Sequence, residues 1–517
     1  MSSIIPALNE DCVALILSYL DKSSLVTIAC TSKTGRAVAL PLLVHTVQLF
    51  TEVPEQIISF SRSVLSNQLG HYVRHLKIQH GYVQENETDP VFLPAMQPLV
   101  DLVAATDDLA SLRIPVFADD LFKWAPGLVD AINAHPPSQT FEIGSISDRG
   151  WQLARPFTGL RDLSLTFDEL TEELYIFAIT APSAKTLNSI HLGGSMQENI
   201  RISFRQGSIP CEAARMVSFC NAETSPTDLH NAFPNVQFIN SSWSNVSAGP
   251  SQYGPEILPN LIGLNGQLDT ALELAPHHDL CMLRLSEYIN TNSEFEQFAG
   301  ALGAGSARSL RSLSLILMFD NENVDRSDRL SGQLFFSRLP QFAPQLKFAD
   351  LDITLSYPDL DAVPPRDTWD NTIALCRAAC GYLARLAHLK FVILNFAPGQ
   401  ENDLTDLLAA FRGIATECLR SLPLADYFAL NLLGETTFVT RRRDLYPGPR
   451  KTESSLKLEA SEASAQARAS AGSEGDNGDI FLIETDEGSR VMEWYRWEGS
   501  DARLEGVREW LGSIETL

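Results

Sequence analysis

Apolar residues at helical spacing mark the start of the chain. The recurring positions are Val13, Ile16, Leu17 and Leu20. This spacing of three and four residues predicts a helix. The five residues 13–17 are all apolar, and five successive helical residues point around the whole cylinder. Such a helix has to be covered on more than one side.

A second short helix is predicted directly afterwards. Asp21 to Ser24 form a turn in this interpretation, with Ser23 or Ser24 as the N-cap. The buried face of the second helix contains Leu25, Ile28 and Ala29. A piece of about 40 residues rarely folds by itself. We therefore expect residues 1–49 to pack on the rest of the chain, on a partner, or on both.

One hexad, apolar-x-x-apolar-x-apolar, returns through the middle of the chain. Its last three positions alternate, which predicts a strand with one buried face. The full copies contain Leu76/Ile78, Leu112/Ile114, Leu163/Leu165, Ile190/Leu192, Val236/Phe238, Leu283/Leu285, Leu313/Leu315, Leu351/Ile353 and Leu389/Phe391. Partial copies occur at 141–143 and 258–261.

Amphipathic helices are predicted between the hexads, the clearest from Leu404 to Cys418. An α/β barrel and a doubly wound sheet also alternate strand and helix, but their strands are buried on both faces. Polar residues such as Arg74, Arg311 and Lys390 interleave with the apolar ones here. This favours an α/β solenoid with one solvated strand face, although the barrel and the doubly wound sheet remain alternatives.

The repeated Leu-x-x-Leu-x-Leu strands resemble leucine-rich repeats over roughly residues 70–435. Because the hexads are unevenly spaced, the resemblance implies an irregular solenoid, assigned to 50–440. In such a fold the strands line the concave surface, where a target would bind. The predicted solvent-facing positions are Lys77, Arg113, Ser164, His191, Gln237, Arg284, Ser314, Asp352 and Lys390.

Residues 1–49 resemble the F-box motif found at the start of many fungal proteins. The matching features are Leu8, Glu10, the 16–20 helix end, Leu25 to Cys30 with Lys33, and the exit at 39–47. Asn9 stands where the family usually has proline, and Gly35 falls near a frequent tryptophan. The resemblance implies that the helices bind the Skp adaptor of a cullin ubiquitin ligase. The implied contact residues are Leu8, Val13, Ile16, Leu17, Leu20, Leu25, Ile28 and Ala29.

The composition changes near Tyr446. Residues 441–479 contain too few apolar side chains to order themselves and are predicted to be a disordered linker. Residues 480–517 are predicted to form a hairpin, with strands at 480–483 and 491–497, followed by a helix containing Leu504 and Ile514. We expect this segment to dock on the solenoid as a cap.

The net charge limits the class of partner, and the cysteine usage indicates the compartment. The net charge of −25 argues against nucleic acid and anionic membranes as general partners. No basic leader and no apolar run of bilayer length is present. The 8 cysteines form no CxxC pair and are interpreted as reduced thiols, which indicates cytoplasm or nucleus.

Motifs for catalysis are missing from the sequence, including phosphate-binding loops, G-x-S-x-G and H-E-x-x-H. His71 and His75 have metal-binding spacing but precede a strand, and Cys376 and Cys380 share an apolar helix face. We therefore expect no enzyme activity, cofactor or metal. The expected function is a non-catalytic substrate receptor of a cullin ligase with an unknown protein target. The alternative is a repeat scaffold or inhibitor that works without the ligase.

Overall fold

The computed structural model describes most of the chain between residue 15 and residue 497. The described residues are 15–17, 19–80, 92–147, 157–168, 180–194, 200–201, 209–241, 245–246, 254–320, 330–356, 366–397, 405–432, 435–441, 480–483, 485–497 and 507. The chain divides into two compact units, the first ending at Val236 and the second beginning at Gln237. The predicted boundary at 49/50 lies inside the first unit.

The first unit begins with two packed helices, α1 (Lys22–Thr31) and α2 (Lys33–His45). Asp21, rather than the predicted Ser23 or Ser24, is the N-cap of α1, and its carboxylate accepts from the Ser24 amide at 2.8 Å. Aspartate and serine cap helices about equally well, but the aspartate carboxylate also interacts favourably with the helix dipole. The Ser32 hydroxyl caps α2 by accepting from the Gly35 amide at 2.9 Å.

Seven strands of the first unit pair in parallel, in chain order. They are β1 (Thr46–Phe50), β2 (His75–Gln79), β3 (Ser111–Ile114), β4 (Thr140–Ile146), β5 (Asp162–Phe167), β6 (Ser189–Gly194) and β8 (Met216–Cys220). The short strands β7 (Ile200–Arg201) and β9 (Ala222–Thr224) also pair in parallel. The other helices of this unit are α3 (Pro54–Ser66), α4 (Leu93–Ala104), α5 (Ala118–Trp124), α6 (Gly127–Ala134) and α7 (Pro226–Ala232).

The register of these strands places apolar residues side by side. One buried row runs across all seven: Val47, Leu76, Leu112, Phe141, Leu163, Ile190 and Val217. The residues that alternate with this row are less buried on most strands, as in the pattern of β5. The predicted strand type, with one fully buried face, is confirmed for β2 and β5.

The second unit repeats this arrangement. Its parallel strands in chain order are β10 (Phe238–Asn240), β12 (Gly263–Gly266), β13 (Met282–Ile289), β14 (Ser312–Asp320), β15 (Phe348–Ser356), β16 (Phe391–Ala397) and β17 (Tyr427–Leu432). β18 (Glu435–Thr440) is antiparallel to β17, and β19 (Phe481–Ile483) is antiparallel to β18. A further short strand, β11, spans Asn245–Val246.

Helices alternate with the strands of the second unit. They are α8 (Leu268–Leu274), α9 (Asn292–Ala304), α10 (Gly332–Phe342), α11 (Arg366–Leu383) and α12 (Thr405–Ser421). A capping box begins α9, in which Thr291 accepts from the Glu294 amide and Glu294 accepts from the Thr291 amide. Aromatic side chains of α9 and α10 pack together, with the rings of Phe295 and Phe335 5.2 Å apart.

The end of the chain differs from the prediction. Residues 481–483 form a strand, but the predicted second strand of a hairpin at 491–497 is wrong, because Thr485–Arg496 form helix α13. Gly488, Val491 and Tyr495 are buried at helical spacing, with acidic residues in the first turn and Arg496 in the last. The predicted helix at 504–514 lies outside the described residues except for Val507, as does the predicted linker after Arg441.

Gly35 supports the packing of α1 on α2 and generates a testable prediction. A Cβ at this position would meet the backbone carbonyl of Ile28 on α1. Gly35→Ala should therefore separate the two helices and destabilise them by about 1–3 kcal/mol. Amide hydrogen exchange of residues 22–45 in the full chain measures this effect.

Gly300 provides the matched control. It also lies in a helix, but a Cβ there would meet nothing within 4 Å. Gly300→Ala should stabilise α9 by about 0.5–1 kcal/mol, since alanine loses less backbone entropy in a helix. Equal exchange in Gly35→Ala and wild type would contradict the close packing.

Candidate functional site

The N-terminal helices form a small apolar cluster of their own. Leu17, Leu25 and Ala39 are its buried members, and Leu20, Ile28, Ala29, Val38, Leu42 and Leu43 pack around them. The Tyr19 and Leu20 amides donate to the Ile16 and Leu17 carbonyls, which continues the turn that begins at 15–17. Among the described residues, all members of the cluster lie between residues 17 and 43.

Large apolar side chains between residues 15 and 26 remain exposed. Tyr19 is 82% exposed, Leu15 59%, Ile16 51% and Val26 50%. We call these four residues the N-terminal patch. Apolar side chains grouped on a surface are typical of interaction sites.

The predicted adaptor contacts separate into four groups. Ile16 is exposed in the N-terminal patch, whereas Leu17 and Leu25 are buried within the cluster. Leu20, Ile28 and Ala29 are partly buried against it. Leu8 and Val13 lie outside the described residues. Tyr19 and Val26 were not predicted as contacts, because neither residue lies on the apolar helix faces from which the contacts were assigned.

Helix α13 covers part of one strand face in the second unit. The covered side chains alternate along β15, β16 and β17 with those of the opposite, fully buried face. They form a cluster of Phe348, Phe391, Ile393, Tyr427, Ala429, Phe438, Val491 and Tyr495. The rings of Phe391 and Tyr427 stack at 5.6 Å, and Tyr495 of α13 lies 5.4 Å from Tyr427.

A buried ion pair holds the last turn of α13 on this face. Arg496 Nη2 lies 2.7 Å from Asp350 Oδ2, and the two side chains are only 14% and 9% exposed. The Ser314 hydroxyl and the Asn395 amide also donate to Asp350, at 3.2 and 3.1 Å. Ser312 donates to the Arg496 carbonyl at 2.8 Å. These bonds satisfy a carboxylate that would otherwise be costly to bury.

A polar cavity of about 400 Å³ lies beside this ion pair. Its lining residues are Asn265, Arg284, Leu285, Ser286, Ser314, Leu315, Ile316, Asp350, Asp352, Asn395 and Arg496. Burial, and secondarily the charge of Asp350, raises the pKa of Asp352. The cavity presents both hydrogen-bond donors and carboxylates, which suits a polar segment of a partner more than an apolar one.

Polar side chains also line up across strands in the first unit. One row contains Lys77, Arg113, Glu142, Ser164, His191 and Ser218. Arg113 Nε lies 3.5 Å from Glu142, and burial raises the pKa of this carboxyl. His191 Nδ1 lies 2.9 Å from the Ser218 hydroxyl. Burial lowers the pKa of His191 to about 4, and Ser218 is fully buried, so the pair is poorly suited to nucleophilic catalysis.

The nine positions predicted to face solvent are less exposed than expected. Eight of them are half-buried, and His191 is buried. Neighbouring strands in a sheet lie about 4.8 Å apart, so side chains in the same row shield one another from solvent. The prediction of a solvated strand face is therefore corrected to a partly buried polar face in the described residues.

Three cysteines of the second unit converge between α11 and α12. The sulfurs of Cys376, Cys380 and Cys418 all lie within 4.8 Å of one another, and Cys376 Sγ is 3.5 Å from Cys418 Sγ. Sequence reasoning placed Cys376 and Cys380 in the core, where they lie, but missed Cys418 as their neighbour. We call these residues the cysteine cluster. His71 and His75 do not share a helix, since His71 lies in a 3₁₀ turn and His75 begins β2.

Comparison with protein-family models and with curated proteins finds no match. Within the described part of the chain, no helix has the length and apolar character needed to cross a bilayer. Functional inference therefore depends on the geometry of the N-terminal patch, the polar cavity and the cysteine cluster.

The ion pair of α13 gives a prediction about docking. Arg496→Met leaves the Asp350 carboxylate buried without its cation and should weaken docking of α13 by about 3 kcal/mol. Faster amide exchange in residues 485–496 is the expected readout. The double variant Arg496→Met/Asp350→Leu should restore most of the protection, because it removes both charges together.

An exposed pair serves as the control for this test. Arg338 lies 2.6 Å from Glu296, but both side chains are 42% exposed. Arg338→Met should leave exchange in its helix nearly unchanged, since exposed pairs contribute little. Unaltered protection of α13 in Arg496→Met would contradict the anchoring role.

His191 generates a prediction about pH. Its pKa is about 4 in the folded protein and near 6.5 when unfolded, so the unfolded chain binds the proton first. Its contribution to stability is complete above about pH 6.5 and is lost as the pH falls towards 4. In His191→Asn, the free energy of unfolding should fall less steeply over this window, by up to about 1.4 kcal/mol per pH unit.

Urea unfolding of wild type and variant from pH 7 to pH 5 measures the difference. Glu142 contributes to the pH dependence with the opposite sign, because its raised pKa favours the folded state in acid. This contribution is present in both proteins and cancels when the free energy of unfolding of the variant is subtracted from that of wild type. Parallel slopes for wild type and His191→Asn would overturn the assignment.

Proposed function

We propose that this chain is a non-catalytic substrate receptor of a cullin ubiquitin ligase. Its N-terminal helices dock on the Skp adaptor in the manner of an F-box, and its strand-and-helix region binds a target protein. The ligase then acts on a target held at high effective concentration, so the receptor itself needs no chemistry.

The N-terminal patch is the observation that carries this proposal. The interior between the helices is filled by their own side chains, chiefly Leu17, Leu25 and Ala39. The exposed Ile16 and Tyr19 are consequently available to a partner. An apolar helical surface that enters a groove of another protein is a common recognition mode.

Strand order and burial support a repeat architecture for the target-binding region. Within each unit the parallel strands follow one another in chain order, without the reversal that a doubly wound sheet has. We propose that the repeats form an irregular solenoid. The polar cavity next to Asp350 and Asp352 is the proposed contact point for the target.

The alternative of a scaffold or inhibitor independent of the ligase has less support. In that case Ile16, Leu17 and Leu20 would cap the following domain and pack fully against residues beyond 50. Instead Ile16 is half-exposed, and the described residues of the cluster containing Leu17 and Leu20 all lie between 17 and 43. We therefore favour adaptor docking.

Substitutions in the N-terminal patch test this function. Ile16→Asp/Tyr19→Asp should weaken binding to purified Skp adaptor by about tenfold or more, because charges would enter an apolar contact. Isothermal titration with the full chain measures the affinity. Leu17→Asp is unsuitable, because Leu17 is buried and its loss would unfold the cluster.

Ile209→Asp/Tyr288→Asp is the matched control. Ile209 is 53% exposed and Tyr288 44% exposed, and neither belongs to the N-terminal patch. The control should bind the adaptor like wild type. Wild-type affinity in Ile16→Asp/Tyr19→Asp, with hydrogen exchange of α1 and α2 unchanged, would refute the docking proposal.

A further inference from the structure

The cysteine cluster is built from two helices of the second unit. Cys376 and Cys380 are four residues apart on α11, and Cys418 faces them from α12. Residues at this helical spacing lie one above the other on the same face. All three side chains are at most 2% exposed. The sulfurs therefore form a triangle closed to solvent.

A bidentate ion pair on the surface joins the two helices next to this triangle. Arg377 Nε and Nη2 donate to the two carboxylate oxygens of Glu417 at 2.9 and 2.8 Å. Arg377 directly follows Cys376, and Glu417 directly precedes Cys418. Paired donors of this kind set orientation as well as distance. This ion pair and the 3.5 Å separation of the Cys376 and Cys418 sulfurs place the two helices in contact at the cluster.

The cluster also differs electrostatically from a single buried cysteine. Burial raises the pKa of Cys211 to about 11, as expected for a thiol in apolar surroundings. In the cluster, hydrogen bonds from Cys376 and then Cys380 lower the pKa of Cys418 to about 5, against the effect of burial. Hydrogen bonds within the triad therefore shift the pKa of its members in opposite directions, raising it for Cys380 and lowering it for Cys418.

Distances within the triangle suit a metal ion. A metal–sulfur bond of about 2.3 Å separates two ligand sulfurs by about 4 Å. The observed Cys376–Cys418 separation is 3.5 Å, and all the sulfurs lie within 4.8 Å of one another. A disulfide would need about 2.05 Å, so these are separate thiols. Small side-chain rotations would bring all three sulfurs into a common coordination sphere.

We propose that the cysteine cluster is a trigonal binding site for Cu⁺. Thiolates select soft ions such as Cu⁺ and Zn²⁺, but structural Zn²⁺ sites almost always have four ligands. Among the described residues, no histidine or carboxylate joins the three sulfurs, and their burial leaves no opening for water as a fourth ligand. Binding forms three Cu–S bonds, releases the protons of the three thiols to solvent, and transfers no electron.

A competition assay with the full chain tests the site. Reduced protein is mixed anaerobically with one equivalent of Cu⁺, and the chelator bathocuproine disulfonate is then added in steps. Wild type should retain one Cu⁺ per chain at chelator concentrations that bind all copper not held by the protein. Cys376→Ala, Cys380→Ala and Cys418→Ala should each lower the affinity by about tenfold or more.

Cys211→Ala and Cys281→Ala are the matched controls. Both residues are buried cysteines outside the cluster and should leave copper retention as in wild type. X-ray absorption of the wild-type complex gives a readout that does not depend on variants folding, and it should show three sulfur ligands. Retention equal in cluster and control variants, two or four sulfur ligands, or preferential loading with Zn²⁺ would each overturn the proposal.

Discussion

The structure depends on the alternation of buried apolar and partly buried polar residues along its parallel strands. Leu313, Leu315 and Leu317 of β14 are fully buried, while Ser314 and Ile316 between them are not. A one-residue shift in register would exchange these faces and bury the polar set, so the register is strongly specified. Each polar row then requires partners of its own, which it finds on the adjacent strands.

Some of these partners lie in the same row on the next strand, and others lie on helix α13. Asn265 donates to Asn240 at 2.9 Å, and Ser314 donates to Asp350 at 3.2 Å. On β15 to β17 the same face carries Phe348, Phe391 and Tyr427 instead, which need apolar cover. Helix α13 supplies it, and its Arg496 joins the polar row at Asp350. The boundary between the polar row and the aromatic cluster is where the cavity lies.

Local periodicity predicted much of this fold from the sequence. The hexads placed strands such as β2, β5 and β14 correctly, because side-chain alternation and burial are local properties. Strands β1, β8 and β17 were not predicted: Val47 and Leu49 looked like a helix exit, and Met216–Cys220 lacks the preceding leucine spacing. Helix α13 was predicted as a strand, because its Val491 and Tyr495 are also compatible with a hairpin until Phe438 and Tyr427 are placed beside them.

The site residues depended more on tertiary contacts. Leu17 and Ile16 are adjacent in sequence, yet Leu17 closes the local cluster and Ile16 faces outwards, a distinction that hydrophobicity alone does not make. Cys376 and Cys418 are separated by 42 positions and meet only when α11 packs on α12. The cavity likewise combines β12 to β16 with Arg496, so its lining follows from topology rather than from any motif.

We propose that the N-terminal helices bind the adaptor while the strand face remains free for a target. Amide hydrogen exchange of the full chain, with and without saturating Skp adaptor, distinguishes the two surfaces. We expect slower exchange in residues 15–45 and unchanged exchange in β13, β14 and β15. Protection of β15 by the adaptor, with residues 15–45 unaffected, would contradict it.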